Sequence, residues 1–195
     1  LDKLTRLEEE HPAETGAAAV TLVTLFDYSP NGTLIGQTDP DGGVWELGWD
    51  SRKNRTRVID PRGNITDQAV DGAHRIVEER RILTDTGDGA GTVIGDVTIR
   101  RVYDDANRTT QRIDDLGRVT SYSWDAMDRL VQVTHADNTT IQYSYNASGD
   151  LAQLTDANES VVTHTYDLNG RLTRRDIDPG PGVSASTTFE IFTYD

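Results

Sequence analysis

Short runs of alternating apolar and polar residues recur along this chain, and turn-forming residues separate them. In one such run Ile141, Tyr143 and Tyr145 occupy one set of alternate positions, while Gln142 and Ser144 occupy the other. Successive side chains of a β-strand point to opposite faces, so this alternation predicts a strand with one apolar face. The runs are rich in Thr, Val, Tyr and Ile, which favour β-structure. The pattern therefore predicts an all-β chain.

The alternating runs recur with a period of 21 residues, marked by an aromatic residue before Asp or Asn. The four phased copies are Tyr103-Asp104, Trp124-Asp125, Tyr145-Asn146 and Tyr166-Asp167. Trp49-Asp50, Phe26-Asp27 and Tyr194-Asp195 are interpreted as further copies, and Leu1-Asp2 as a degenerate one. Shifting the chain by one period places the aromatic residues in a column, which would bury surface that one hairpin cannot bury alone.

Each period contains two turn signals. One follows the aromatic residue, and its best copy is Gly170-Arg171, three and four residues after Asp167. The other lies ten residues after the first Asp, as in Asp60-Pro61-Arg62-Gly63, with a weaker copy at His135 to Asn138. Gly, Asn and Asp tolerate a positive φ, which explains why they replace one another there. Each unit is predicted to run strand, turn, strand, turn.

Insertions into the period are expected at the same turn of the unit. The three longest are assigned to loops at His11 to Gly16, Asp85 to Gly91 and Asp176 to Ser186, and an excess of two residues near Pro30 falls at the other turn. A helix is the alternative for Leu1 to Glu10, because Leu1, Leu4 and Leu7 are spaced by three.

The repeat resembles the YD repeat of the Rhs family. Tyr166 to Leu172, with the sequence YDLNGRL, is a close copy of the family motif, and Trp49-Asp50 followed by Asp60 to Gly63 is another, with Lys53 where the family prefers Gly. At least six phased copies cover essentially the whole chain. Residues 1–195 are interpreted as one repetitive β region, either a fragment or a protomer of a larger assembly.

The resemblance implies antiparallel hairpins joined into a spiralling sheet. In the family such sheets form hollow shells in bacterial polymorphic toxins, toxin-complex subunits and teneurins, and in the toxins the shell encloses a C-terminal toxic domain. Some members release that domain with an aspartyl self-cleaving segment. Nothing in this chain matches that segment, so the resemblance assigns no catalytic residue.

Composition limits the partners of the chain. Asp and Glu total 33 against 19 Lys and Arg, which gives a net charge of −14. This balance argues against binding to nucleic acid or to an anionic membrane surface. No run of 18 apolar residues is present, so no membrane span is expected. Cysteine is absent, which removes disulfides and thiolate chemistry.

Candidate chemical sites are weak. The many carboxylates occur at turn positions, where Asp bonds its own backbone, and this explains them better than acid–base catalysis does. The segment Asp85 to Gly89 only faintly matches a calcium loop. The four His residues show no metal-ligand spacing, and His164 is interpreted as a packing residue. We expect no enzymatic activity, no catalytic residue, no cofactor and no metal.

Seven of the eight asparagines begin N-x-[ST] triplets, which are acceptors for glycans in secreted proteins. These candidate glycosylation sites are Asn31, Asn54, Asn64, Asn107, Asn138, Asn146 and Asn158. The alternative is that the repeat itself favours Asn in a turn and Thr in the next strand. The residues expected to define the repeat are Asp27, Asp50, Tyr103, Asp104, Trp124, Asp125, Tyr145, Tyr166, Asp167, Gly170 and Tyr194.

These patterns favour a structural protein at the cell surface or outside the cell. The leading hypothesis is a wall segment of a shell that encloses or presents a toxin or effector domain. The alternative is a building block of a glycosylated filament or adhesive layer, assembled by end-to-end β pairing. Its partners would be further repeats, identical protomers or an enclosed effector. A carbohydrate-binding module is a third hypothesis, since Trp45 and Trp49 could stack on sugars.

Overall fold

A computed structural model describes residues 3–11, 20–184 and 188–195, and these residues form sixteen antiparallel β-strands and no helix. The strands follow chain order in one open sheet, each beside its neighbours in sequence. The all-β hairpin architecture predicted from the sequence is confirmed. Because the described part of the chain contains no helix, it contains no helix that could cross a membrane.

The chain divides into two compact units, Leu1–Arg100 and Arg101–Asp195. The first contains β1 Arg6–His11, β2 Val20–Tyr28, β3 Leu34–Thr38, β4 Val44–Trp49, β5 Arg55–Ile59, β6 Ile65–Val70, β7 Ile76–Thr84 and most of β8 Val93–Tyr103. The second contains the end of β8, then β9 Thr109–Ile113, β10 Val119–Trp124, β11 Leu130–Thr134, β12 Thr140–Tyr145, β13 Leu151–Thr155, β14 Val161–Tyr166, β15 Leu172–Asp178 and β16 Phe189–Ile191.

The same five-residue turn joins most of these strands. In each of the twelve copies the N–H of the first residue donates to the carbonyl of the fifth, and the N–H of the fourth donates to the carbonyl of the first, at 2.8–3.2 Å. The fourth residue has φ between 60° and 95°. This is a type I turn followed by a left-handed residue, a common three-residue hairpin loop. The two turn signals of each period therefore specify one geometry.

Successive turns of an antiparallel meander lie at opposite edges of the sheet. We call these two edges, where the strands turn, the rims. We call the aromatic rim the edge with the turns that begin at Ser29, Asp50, Asp71, Asp104, Asp125, Asn146 and Asp167. The opposite rim carries the turns that begin at Asp39, Asp60, Asp114, His135 and Asp156.

The structure corrects the position of the first aromatic copy. Asp27 lies inside β2, and the turn begins at Ser29. Tyr28-Ser29 is the true copy, and it stands one full period before Trp49-Asp50 without any insertion. The sequence interpretation missed it because Ser replaces Asp. A serine hydroxyl can bond the turn backbone as a carboxylate does, and here Ser29 Oγ accepts from the Thr33 N–H at 3.1 Å.

The long insertions lie at the opposite rim, as predicted from the sequence. The connection between β7 and β8 and that between β15 and β16 both fall there. Part of the first insertion extends the strands, because β7 and β8 have 9 and 11 residues where β9 and β13 have 5. Leu1, Asp2, most of the loop placed at His11 to Gly16, and Ala185 and Ser186 lie outside the described residues. The loop assigned from Asp176 begins later than predicted, because β15 continues to Asp178.

The helix considered for Leu1 to Glu10 is wrong within the described residues. Arg6–His11 forms β1, paired with β2 from Arg6–Leu25 to His11–Val20. Leucine spacing alone did not decide the structure, since Leu4 and Leu7 are both exposed. A helix of this length is marginal without an apolar partner, whereas β2 offers a full set of backbone partners.

The two faces of the sheet differ in chemistry. In the second unit Tyr122, Val133 and Ile141 are successive cross-strand partners on what we call the apolar face. Gln132 pairs with both Ser123 and Gln142 on the polar face. Val133, at 8% exposure, is the single buried hydrophobic side chain among the described residues. The sheet thus gains its order chiefly from backbone pairing and turns, with little enclosed core.

Candidate structural site on the aromatic rim

Apart from Asp39, each Asp that begins a turn organises the turn with its own carboxylate, as Asp125 shows. Asp125 Oδ1 accepts the N–H groups of Met127 at 2.8 Å and Arg129 at 3.0 Å. Its Oδ2 accepts Arg129 Nε at 2.8 Å. Asp167 makes the same three bonds with Asn169 and Arg171 at 2.7–2.9 Å. One side chain thus satisfies two backbone donors and fixes a guanidinium.

The residue four positions after the Asp completes the turn. In five turns this residue is an arginine that forms an ion pair with the Asp of its own turn. These arginines are Arg75, Arg108, Arg118, Arg129 and Arg171. Asn54 and Asn64 do the same through their amide groups, at 2.7 and 2.8 Å. In these seven turns the fifth residue supplies a side-chain donor that reaches back over the turn, whereas Gly43 and Ser160 close their turns through the backbone.

Donors to the turn carboxylates lower their pKa values. For Asp71, Asp125 and Asp167 the largest cause is the backbone N–H of the arginine four residues later, and the guanidinium adds to it. For Asp50 the largest cause is the side-chain amide of Asn54. These bonds are stronger with the ionised carboxylate than with the neutral acid, so the turns favour the charged state.

Aromatic side chains join each turn to the preceding turn on the same rim. The hydroxyls of Tyr145 and Tyr166 donate at 2.8 Å to the backbone carbonyls of Leu130 and Leu151, each 15 residues earlier. Trp49 and Trp124 reach Leu34 and Thr109 in the same way through the indole N–H, at 2.7 and 2.9 Å. In every case the acceptor is the first residue after the earlier turn, so the bond closes one repeat onto the next.

The outermost tyrosines make the same connection. The Tyr28 hydroxyl donates to the backbone carbonyl of Leu4 at 3.0 Å, and the Tyr194 hydroxyl donates to that of Leu172 at 2.8 Å. The aromatic column expected from the sequence thus has polar tips that bond backbone. The acceptors could not be recognised from the sequence, because any residue supplies a carbonyl.

Two turn arginines of the rim each lie over the aromatic ring of the next repeat. The guanidinium carbon of Arg129 is 4.4 Å from the centre of the Tyr145 ring, and that of Arg171 is 4.8 Å from the Tyr194 ring. Arg129 therefore bonds the carboxylate of its own turn and the π face of the next aromatic side chain. Arg108 differs in that its Nη1 donates to the carbonyl of Asp125 at 3.1 Å and to Asp128 at 2.7 Å.

The sequence profile of the RHS Repeat family matches residues 28–65, 103–140 and 145–180, more than half of the chain. The chain belongs to the RHS repeat family. The first matched stretch begins at Tyr28, the residue that the structure places before the first aromatic-rim turn. No curated protein matches the sequence.

Several solved structures are similar to this RHS-repeat chain. One is the crystal structure of TcdB2-TccC3, with 12% identity, 89% of this chain and 14% of that chain covered, and a TM-score of 0.47. Another is the Tc holotoxin pore of Photorhabdus luminescens, with 13% identity, coverage of 88% and 13%, and a TM-score of 0.36. A porin-like protein from Bacteroides uniformis shows 12% identity, coverage of 89% of each chain and a TM-score of 0.37. The chain spans only 13–14% of the toxin chains that it matches.

Both long loops of the RHS repeats fold over a turn on the opposite rim. A Cβ on Gly180 would lie 1.8 Å from the carbonyl oxygen of Asn158, and a Cβ on Gly89 would lie 2.0 Å from the carbonyl carbon of Gly63. The Gly180 N–H also donates to Ser160 Oγ at 3.1 Å. Ser160 is buried and takes the place of the turn-closing Arg or Asn. Only glycine lets the loop backbone approach the turn this closely.

The seven N-x-[ST] asparagines are all in or directly after turns, but they differ in their bonding. The amide nitrogens of Asn54, Asn64 and Asn146 donate to Asp50, Asp60 and Asp150 at 2.7, 2.8 and 3.1 Å. The other four, Asn31, Asn107, Asn138 and Asn158, are exposed.

The remaining candidate groups have structural surroundings. The indole N–H of Trp45 donates to Asp39 at 2.7 Å, and that of Trp49 is used within the rim. His164 stacks on Tyr166 with ring centres 6.5 Å apart. Burial lowers the pKa of His164, and the positive charge of Arg175 lowers it further. Within the described residues no three His, Asp or Glu side chains are grouped for metal binding.

Proposed function

We propose that this chain is a wall segment of a shell in a secreted or surface-exposed RHS-repeat protein, and that the shell encloses or presents an effector domain. In this proposal the role is structural, and catalysis belongs to other parts of the assembly. Further repeats of the same protein continue the wall, and residues 1–195 act as one repetitive region of it.

The observation that carries the proposal is the bonding between neighbouring turns of the aromatic rim. Tyr145 and Tyr166 each connect their hairpin to the previous one, so the sheet is reinforced along the direction in which repeats accumulate. Stability of this kind grows with the number of repeats and needs no central core. A wall needs order that does not depend on an enclosed core, and this arrangement supplies it.

The contrast between the faces also supports a wall. On the polar face Gln132 pairs with Gln142, and Gln153 pairs with Ser144 on the next strand, which suits contact with water. The apolar face presents Val133, Ile141 and Leu154 and is covered only in part. A sheet with two unlike faces separates two environments, as the wall of a container does.

The filament is the second candidate, because an open sheet offers unpaired strand edges. β1 weighs against it, since Glu8, Glu9 and Glu10 lie side by side on this strand and are all exposed. Like charge on a strand edge discourages pairing with an identical chain. Replacing these glutamates with Gln would raise the tendency to form fibres if end-to-end pairing were the true mode of assembly.

Intact mass and negative-stain images of the natural protein test the proposal. A mass well above 21.5 kDa with hollow particles is the expected result. Long fibres built from a chain of this size would overturn the shell in favour of the filament. A soluble monomer whose Trp fluorescence changes on addition of a glycan would instead favour the carbohydrate-binding hypothesis.

Glycosylation is part of the surface proposal and has its own test. We expect sugars at the exposed Asn31, Asn138 and Asn158, and not at Asn54, Asn64 and Asn146, whose amide nitrogens are already donated within the turns. Peptide mapping of the natural protein would locate the attached mass. Modification of Asn54 or Asn64 in the folded protein would contradict this assignment.

A further inference from the structure

One cavity in the second unit departs from the chemistry of the repeat. It lies at the opposite rim, between the turns that begin at Asp114 and His135, and has a volume of about 430 Å³. Arg112, Arg118 and His135 line it together with Thr120. Three basic side chains thus surround one cavity in a protein whose net charge is −14.

Arg112 occupies a position that the repeat normally fills with an apolar side chain. The equivalent residues, two before the turn, are the apolar Val58, Val133 and Leu154, and the neutral Gln37, which bonds Asp39 of its own turn. Arg112 pairs across to Thr120 in the same register. It is half-buried, and its side chain makes no hydrogen bond or ion pair with any described residue. A guanidinium in this setting has unused donors next to the cavity.

His135 is a second departure in the same place. The other turns of this rim begin with Asp39, Asp60, Asp114 and Asp156, whereas here the first residue is His. The negative charge of the repeat is removed, and an imidazole that can donate a hydrogen bond replaces it. Its ring makes no hydrogen bond with a described residue, although its backbone keeps the turn bonds to Asn138 and Thr139.

Two carboxylates, those of Asp114 and Asp137, also line the cavity, and both already have donors. Asp114 accepts the N–H of Leu116, the N–H of Arg118 and Arg118 Nε, at 2.7–3.0 Å. Asp137 accepts the N–H and hydroxyl of Thr139 at 3.0 and 2.7 Å. Neither pairs with Arg112. Because Arg118 uses only Nε on Asp114, its two terminal nitrogens remain for a ligand.

We propose that this cavity binds an oxyanion, the carboxylate or phosphate group of a small molecule, with Arg112 and Arg118 as the charged donors and His135 and Thr120 as further donors. Guanidinium groups bind both kinds of oxyanion through paired N–H bonds. Two departures from the repeat, each giving up a stabilising residue, meet at one cavity and both supply donors. A purely structural wall has no need of either.

Titration of the isotopically labelled chain with inorganic phosphate and with glucuronate, followed by NMR, tests the proposal. Saturable shifts at Arg112, Arg118 and His135 are expected, at an ionic strength held constant with sodium chloride. Tighter binding of glucuronate assigns the site to carboxylates, and tighter binding of phosphate assigns it to phosphate esters. Absence of saturable shifts with both anions overturns the proposal.

Two variants restore the residues of the repeat and should fold at least as stably as the natural chain. Arg112→Val and His135→Asp are each expected to weaken binding at least about tenfold, since a charge-assisted donor is lost or a carboxylate is added. Arg55→Gln is the matched control, because Arg55 is an exposed strand arginine outside the cavity with no ion pair among the described residues. Unchanged affinity in both Arg112→Val and His135→Asp would contradict the assignment.

Discussion

The Tyr145 hydroxyl donates a 2.8 Å hydrogen bond to the backbone carbonyl of Leu130, which belongs to the preceding repeat. The Arg129 guanidinium lies over the same tyrosine ring and also bonds Asp125. One tyrosine therefore joins the end of its own strand to the turn of the previous hairpin. The same bond recurs at Tyr166, so it links successive repeats along the rim.

Removing the Tyr145 hydroxyl is expected to weaken that connection. Tyr145→Phe should lower the free energy of unfolding by about 0.5–1.5 kcal/mol, the usual net contribution of one hydrogen bond. Chemical denaturation measures the change. Tyr143→Phe is the matched control, because the Tyr143 hydroxyl makes no hydrogen bond within the described chain and its loss should have little effect. Equal destabilisation by both changes would argue against the rim bond.

The left-handed fourth position of the turn gives a second prediction. Lys53 has φ of 65° where related turns place Gly, and this conformation costs an ordinary L-residue about 1–2 kcal/mol. Lys53→Gly should therefore raise the melting temperature, although the greater entropy of unfolded glycine offsets part of the gain. Asn138→Gly should give a smaller increase, because Asn tolerates φ of 67° better than Lys does. A lower melting temperature for Lys53→Gly would contradict the role assigned to the turn.

Stability should fall in acid because the turn carboxylates have lowered pKa values. Their ordinary pKa is 3.8, and hydrogen-bond donors hold the folded values of Asp71, Asp125 and Asp167 below it. In the range between the two values the unfolded chain binds protons that the folded chain does not. The stabilisation is therefore present above pH 3.8 and is lost as the pH falls through the folded pKa values.

Urea unfolding from neutral pH to about pH 2 measures this loss. Asp125→Asn is the matched variant, because Asn146 already begins a turn of the same rim in this chain. It should reduce the dependence on pH, since one titrating group is removed. If stability were unchanged down to about pH 2, the carboxylates would not support the turns in the way proposed.

The close approach of the second long loop gives a fourth prediction. Gly180→Ala should destabilise the second unit by about 1–3 kcal/mol, because the added methyl group meets the backbone of Asn158 and must displace the loop. Hydrogen exchange at the Ser160 amide reports whether the turn beneath has opened. Gly72→Ala is the control, since a Cβ at Gly72 meets nothing within 4 Å. A neutral Gly180→Ala would mean that the loop does not pack on the turn in solution.

Most of the fold could be predicted from the sequence because the patterns that specify it are local. Alternation in β12, turn residues such as Gly170 and the 21-residue spacing each act over a few positions. Family recognition rested on the same motifs and is confirmed by the profile match. The first copy was misplaced for a local reason as well, since Phe26-Asp27 fits the pattern of an aromatic residue followed by Asp and Tyr28-Ser29 does not.

The candidate sites depended on contacts that no local pattern contains. Arg112 and His135 stand 23 positions apart in the sequence and line one cavity only because the β9–β10 and β11–β12 turns lie at the same rim. The carbonyl that accepts the Tyr145 hydroxyl has no side-chain identity that could mark it. The sequence shows that Arg112 stands where Val58, Val133 and Leu154 are apolar. Which side chains share a cavity with Arg112 depends on the strand register.

The sequence by itself determined the strands, the turns and the period, because a turn needs a residue that adopts positive φ and a side chain that bonds its own backbone. Those requirements are satisfied within five residues. Only the tertiary structure decided which carbonyl each aromatic side chain reaches, which loop covers which turn and which basic groups share a cavity. These contacts depend on how separate hairpins pair in register, and pairing brings together residues whose separation along the chain carries no signal of their contact.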